Sequence, residues 1–271
     1  MIKHSTPKIP VILCLNCHDP SGFGGIQADI ETGSSLGCQT LTVLTGALVK
    51  DTREIKKLVP SSPELVIDQI RAQLEDTPVD IIKAGYMSSI ENIEALHSVL
   101  IDYPDIPFVL EPKVLNVPKL SPNYNAEMID AIRSLLLPKA RVAVTTHEQA
   151  LTLSNYSDTI DACAAEILES GCQHVLINGS HNFKPTRCSQ LFGKRGLIHS
   201  YDCQYENLSE ILCTSTLGAA VACYQAHGLA IHDGVDLAQK YLWDSVFKSR
   251  QFGMGAPTPN RMHWAESLSK Q

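Results

Sequence analysis

Short apolar runs alternate with helix-length stretches along nearly the whole chain, and that alternation limits the folds open to it. The strand-like runs cover residues 11–15, 41–44, 81–83, 108–110, 142–144 and 175–177. Between them lie helix-like stretches at 26–36, 63–74, 90–100, 126–136 and 160–170. The runs are short and largely apolar without alternation, as burial on both faces requires. Strand, helix and strand in this order build an α/β fold, a parallel sheet covered by helices on both sides. Residues 190–192 and 197–201, joined by Gly193-Lys194-Arg195-Gly196, read as a hairpin on the far side of the sheet. Two helices follow. Residues 216–227 place Leu217, Ala220, Val221 and Tyr224 on one stripe, and 233–248 do the same with Leu237, Tyr241, Leu242 and Val246. The tail after Arg250 is rich in Gly and Pro and reads as irregular. No repeat, low-complexity stretch or linker divides the 271 residues, so one large domain is expected over 1–271.

The most informative connection is the first. His18-Asp19-Pro20-Ser21-Gly22-Phe23-Gly24-Gly25-Ile26-Gln27-Ala28-Asp29 leads from the first strand into the first helix. A Gly-rich turn there sets backbone N–H groups and a positive helix end at the carboxyl edge of a strand. In an open α/β sheet, ligands bind at that edge. Asp29 lies about one turn into the helix, within reach of such a ligand. An ordinary turn whose glycines only permit positive φ accounts for the same residues.

Bulk properties exclude several classes. A net charge of −7 leaves no electrostatic footprint for nucleic acid or an anionic membrane. No apolar run approaches the roughly 20 residues that span a bilayer. Residues 1–8 hold no signal-peptide core, so a cytoplasmic protein is expected. Most of the nine cysteines sit in apolar runs, as free thiols do in a reducing compartment. Cys14 and Cys17 form a C-x-x-C string along a strand. Their side chains then face opposite ways, and no second pair completes a zinc site.

Other motifs lack their context. Gly33-Ser34-Ser35-Leu36-Gly37 fits G-x-S-x-G, but a helix precedes it where the hydrolase elbow needs a strand. Gly37 reads more simply as a helix-terminating glycine. There is no P-loop string, and Gln27 breaks the dinucleotide-binding glycine spacing. His18 beside Asp19 reads as structural more readily than catalytic. No H-E-x-x-H or deaminase zinc signature occurs.

The string from Asp19 to Asp29, D-P-S-G-x-G-G-I-Q-A-D, resembles the N-terminal signature of the hydroxymethylpyrimidine/phosphomethylpyrimidine kinases of thiamin biosynthesis. The resemblance continues in patches through Phe252-Gly253-Met254-Gly255 and Pro259-Asn260-Arg261-Met262-His263-Trp264. It implies a ribokinase-like three-layer α/β/α sandwich with a mostly parallel central sheet, commonly a homodimer. It also implies transfer of the γ-phosphoryl group of ATP, with Mg²⁺, to hydroxymethylpyrimidine and to its monophosphate. A small-molecule pyrimidine substrate is expected, with neither nucleic acid nor membrane as partner. By the same resemblance Asp29 accepts from the amino group of the pyrimidine, Gly24 and Leu48 line its pocket, and Lys50 and Tyr86 stand where the family has glutamine and methionine. Lysine only donates, whereas glutamine donates and accepts. Cys17 replaces a glycine at the edge of the ring site. Glu111-Pro112 resembles an Asp-Pro pair, with Lys113 an unusual neighbour.

The nucleotide half departs further. Thr145-Thr146-His147-Glu148-Gln149-Ala150 stands for T-P-N-x-x-E-A, which puts Gln149 at the position of the magnesium-organising glutamate. An amide is a weaker partner for hydrated Mg²⁺ than a carboxylate. Asn178-Gly179-Ser180-His181 stands for K-G-G-H and lacks its lysine. Ile211-Leu212-Cys213-Thr214-Ser215-Thr216 stands for H-G-[TS]-G-C-[TS]. Leu212 and Thr214 replace both anion-hole glycines, and Ser215 replaces the catalytic cysteine. Side chains at those positions restrict φ and take space that a phosphoryl group needs. A serine hydroxyl also needs its own base. The expectation is a kinase with impaired activity. The alternative is a non-catalytic relative that binds a pyrimidine- or pyridoxal-like metabolite.

Overall fold

The computed structural model describes residues 8–115, 124–155, 157–179, 187–202 and 213–265. Among them, nine strands form one sheet. In chain order the elements begin β1 (Val11–His18), α1 (Gly25–Ser35), β2 (Gln39–Lys50), β3 (Ile55–Pro60), α2 (Pro63–Asp76) and β4 (Ile81–Ala84). Then come α3 (Ile90–Asp102), β5 (Phe108–Leu110), α4 (Tyr124–Ala131), β6 (Val142–Thr146), α5 (His147–Leu153) and α6 (Ile160–Glu169). The last are β7 (His174–Asn178), β8 (Arg187–Gly193), β9 (Gly196–Asp202), α7 (Thr214–Ala226) and α8 (Ile231–Phe247).

The strand order is β3-β2-β1-β4-β5-β6-β7-β8-β9. The six strands from β2 to β7 run parallel, while β3, β8 and β9 join antiparallel to their neighbours. The expected hairpin is present as β8 and β9. The expected strand at 41–44 is longer, Gln39–Lys50, and pairs with a strand that the apolar pattern did not mark. Its sequence, Ile55-Lys56-Lys57-Leu58-Val59-Pro60, carries two lysines and a proline, the residues that protect a sheet edge from further pairing.

Strand alternation sends side chains into two cores. Leu13, Leu15 and Cys17 pack with residues of α2 to α6, while Ile12 and Cys14 pack with α1, α7 and α8. Three layers result. Cys14 and Cys17 lie in different layers and cannot share a metal ion. Helix α1 ends at Ser35, and Gly37 takes φ +72° just beyond it, as expected of a terminating glycine.

The chain enters at β1, adds β2 on one side and then β4 on the other. That reversal opens a crevice at the carboxyl ends of β1 and β4, the place where open α/β sheets bind ligands. A bulge in the β1–β2 pairing after Asn16 leaves Thr45 unpaired there. Its hydroxyl donates to the Tyr86 carbonyl at 2.7 Å and fixes the segment that follows β4.

Candidate active site

The turn after β1 is built around Asp19. One carboxylate oxygen accepts from the Ser21 N–H and hydroxyl, and the other from the Gly24 N–H and Lys50 Nζ (3.0 Å). Burial opposes the charge, but these donors hold the carboxyl below its ordinary range. His18 is exposed and meets Gln27, whose side-chain oxygen accepts from the Asp19 N–H. His18 therefore braces the turn. Gly25 has φ +67°, and a Cβ there would lie 2.4 Å from the Cys17 carbonyl, so only glycine fits.

Behind the turn lies a sealed ion array. Lys83 sits on β4 with no exposed surface and donates to Asp29 of α1 (2.8 Å) and to Glu111 just after β5 (2.9 Å). Burial works against the charge on Lys83, yet the two carboxylates hold its pKa above the usual value. Burial likewise opposes Glu111, but Lys83, Lys113 and the bond from Thr214 draw it down to about 2. For Asp29 burial wins and raises the pKa. An apolar strand that is buried on both faces yet carries a lysine must provide partners for it. That signal was readable in Ile81-Ile82-Lys83-Ala84.

Asp29, expected beside the ring, is part of this array. Its carboxylate has no exposed surface, and its oxygens accept from Lys83 and from Asn16 Nδ2 (2.9 Å). Through these bonds it ties β1, β4 and α1 together.

Helix α7 points its N-terminus at the Gly-rich turn. Its N-cap, Cys213, makes no side-chain capping bond. The Cys213 thiol turns instead toward the Phe23 carbonyl and Thr216. Thr214 and Ser215 donate their hydroxyls to the same Glu111 oxygen, at 2.7 and 2.9 Å. Lys113 Nζ lies 3.4 Å from Ser215 Oγ and 3.8 Å from Glu111. Gly24 permits this closeness: a Cβ there would sit 3.2 Å from Ser215 Oγ and 3.7 Å from Lys113 Nζ.

Arg261, missed as a site residue by sequence reasoning, locks these two elements together. It is 1% exposed and donates to the Gly22 carbonyl (2.9 Å), the Phe23 carbonyl (2.6 Å), Thr216 Oγ1 (2.9 Å) and Glu31 (2.9 Å).

In front of the turn a cavity of about 50 Å³ is lined by Asn16, Cys17, Asp19, Phe23, Leu48, Lys50, Tyr86 and Lys113, among others. The structure thus gathers Leu48, Lys50 and Tyr86 at one wall, with Gly24 adjoining through Asp19 and Lys113. The space is small and lies between the end of β1, the end of β2 and the Gly-rich turn. The flexible arms of Lys50 and Lys113 are the movable part of the wall.

The nucleotide side is less complete. Gln149 is spent on a capping box: its side-chain oxygen accepts from the Thr146 N–H, and Thr146 Oγ1 accepts from the Gln149 N–H. The residue expected at the magnesium shell is therefore committed to starting α5, and Glu148 beside it is exposed. Asn178 ends β7 and accepts from Ser189 at 2.8 Å, with Gly179 at φ +82° after it. Among the described residues, no group of three His, Cys, Asp or Glu side chains has metal-binding geometry. Leu212, Ser180 and His181 lie outside the described residues.

The sequence model of the family described as phosphomethylpyrimidine kinase matches residues 19–260. The chain belongs to the phosphomethylpyrimidine kinase family. It is 26% identical over 262 residues to the thiamine biosynthesis bifunctional protein ThiED of Geobacter sulfurreducens, covering 95% of this chain and 53% of that longer one. It is 26% identical to the hydroxymethylpyrimidine/phosphomethylpyrimidine kinase of Mycobacterium leprae, covering 90% of this chain and 91% of the relative. The fold is also that of the Staphylococcus aureus pyridoxal kinase solved in complex with AMP-PCP and pyridoxal. That structure has a TM-score of 0.81 at 21% identity and covers 95% of each chain. The fold of the phosphomethylpyrimidine kinase family is thus the frame in which Ser215, Glu111 and Lys113 meet.

Proposed function

We propose that this chain transfers the γ-phosphoryl group of ATP to the hydroxymethyl group of a pyrimidine-like ring and to its monophosphate, slowly. Membership of the phosphomethylpyrimidine kinase family supports the reaction class. The observation that carries the rate is the bond from the Ser215 hydroxyl to the ionised Glu111 carboxylate.

ATP, when bound, supplies the transferable phosphoryl group. The α7 N-terminus suits that anion: it has no side-chain cap, the helix dipole favours negative charge there, and Lys113 adds a cation beside it. Ser215 accepts a hydrogen bond from an approaching substrate hydroxyl and passes the proton along its own bond to Glu111. A carboxyl held near 2 takes a proton from an alcohol poorly, since an efficient base has its pKa near the working pH. Thr214, where the family has glycine, donates inward to Glu111 rather than toward the phosphate. The residues at the Gln149 position fit Mg²⁺ poorly, because a neutral amide stands there and one lone pair of its oxygen already accepts from the Thr146 N–H. No step is assigned to a metal there.

The test is product formation from ATP·Mg and hydroxymethylpyrimidine or its monophosphate, read by mass spectrometry. The Leu212→Gly, Thr214→Gly, Ser215→Cys variant is run beside the wild type. Ordinary enzymes turn over at about 1–10³ s⁻¹. Slow wild-type product with a faster variant is the expected result. Wild-type turnover in the ordinary range sinks the impaired-kinase reading. The second reading, a non-catalytic binder of a pyrimidine- or pyridoxal-like ring, is favoured by the weak base at Glu111 and the capping role of Gln149. It would show as ring binding with no product from either form.

A further inference from the structure

The carboxylate and amide acceptors around the cavity are already used. Asp19 accepts four bonds, which fills the lone-pair positions of a carboxylate. The Asn16 side-chain oxygen accepts from the Cys17 and Tyr86 N–H groups, at 3.0 and 3.1 Å, and is full as well. Asp29 is sealed behind the wall.

Donors, by contrast, are in surplus. Lys50 spends one of its three N–H bonds on Asp19. Lys113 makes one long bond, to Ser215, and stands 3.8 Å from the Glu111 carboxylate, which leaves two of its N–H bonds free to turn toward the cavity. The Tyr86 hydroxyl is buried without a hydrogen-bond partner among the described residues. The charged groups that line the cavity are Asp19, Lys50 and Lys113, one carboxylate against two ammonium groups. The lining is cationic in a chain whose net charge is −7.

Among the described residues, a ring presenting an amino group finds only the Tyr86 hydroxyl as a free side-chain acceptor. A ring presenting an oxyanion finds two ammonium groups on flexible stems, beside a phenyl face that already stands 6.0 Å from Lys50 Nζ. We infer that the cavity selects a heterocycle carrying a carboxylate, held between Lys50 and Lys113, over the neutral aminopyrimidine. A planar carboxylate lies in the plane of its ring and adds little thickness, which suits the narrow space. The inference takes the cavity as the acceptor-ring site, and so rests on the kinase reading for its meaning, but not for its test.

The test is calorimetric binding without ATP, using pairs that differ in charge and little in shape. Pyridine-3-carboxylate is compared with pyridine-3-carboxamide, and hydroxymethylpyrimidine monophosphate with hydroxymethylpyrimidine. The carboxylate is expected to bind at least about tenfold tighter than the carboxamide, as for a charge-assisted bond in a shielded site. The preference should weaken with added salt, fall in Lys113→Met, and vanish in Lys50→Gln while surviving in Lys50→Arg. Melting curves check that each variant is folded. Equal binding of the two pyridines, tighter binding of hydroxymethylpyrimidine, a preference shown by the monophosphate pair alone, or no binding by any probe overturns the inference. Phosphoryl transfer is read separately by mass spectrometry. Carboxylate preference without transfer sinks the kinase reading alone, and transfer to the neutral ring without carboxylate preference sinks this inference alone.

Discussion

The Ser215 hydroxyl donates to the Glu111 carboxylate across 2.9 Å, joining residues 104 positions apart at the mouth of the crevice. The serine proton is thereby directed inward, and the Ser215 oxygen is left facing Lys113. Ser215→Cys is expected to raise phosphoryl transfer at least tenfold, because a thiol ionises far more readily than a hydroxyl. Ser215→Ala should lower it and cost about 1–3 kcal/mol of stability, the usual worth of a hydrogen bond to a charged group. Rates by mass spectrometry and a urea titration of both variants check this.

Lys83 donates to two sealed carboxylates at once. Lys83→Met should cost at least about 3–5 kcal/mol, the usual result of removing one partner of a buried pair. Without the lysine both carboxyl pKa values rise above their unfolded values. The folded form then binds more protons than the unfolded one, and lowering the pH stabilises it. Denaturant midpoints for the variant should therefore increase from pH 7 to pH 5.

Glu111 shows the opposite sign. Its folded pKa of about 2 lies below the ordinary 4.5, so its contribution is fully present above pH 4.5 and fades as the pH falls toward 2. Glu111→Gln should be markedly less stable than wild type at pH 7. The gap should narrow steadily between pH 4.5 and 2. A gap that stays constant in urea titrations across that window would remove the assignment of Glu111 as an ionised group.

Gly24 and Gly25 should behave differently. Alanine at 25 meets the Cys17 carbonyl at 2.4 Å in a left-handed backbone, and Gly25→Ala should give little folded protein. Alanine at 24 meets only Ser215 Oγ at 3.2 Å. Gly24→Ala should keep the fold, with a Tm within a few degrees of wild type, and lose ring binding as Ser215 and Lys113 are displaced.

Arg261→Lys keeps the charge but loses the planar fork that reaches two carbonyls and a hydroxyl at once. Amide exchange should speed up at residues 22–25 and in the first turn of α7, and barely change in β5 and β6. Uniform acceleration everywhere would mean that Arg261 only contributes global stability.

The parallel sheet was legible in the sequence because two-sided burial writes itself as short, largely apolar runs. β3 was not, since Lys56, Lys57 and Pro60 protect its edge and break the pattern that marks a strand. Lys83 was visible as a cation inside such a run, but spacing alone does not name its partners. Asp29 shows the limit of motif reading. The string locates the residue, while the face of α1 that meets β4 decides where its carboxylate turns. Lys113 with Ser215, and Arg261 with the turn, are long-range pairs that only the closed fold creates.

Arg261 reaches back across 239 positions to the Gly22 carbonyl. During synthesis the turn at 19–25 leaves the ribosome well before its brace, which follows 239 positions later. A nascent chain can pair its parallel strands and bury much of both cores with the ligand crevice still slack. The crevice tightens only when Arg261 arrives, so chains made short of it do not offer the braced site.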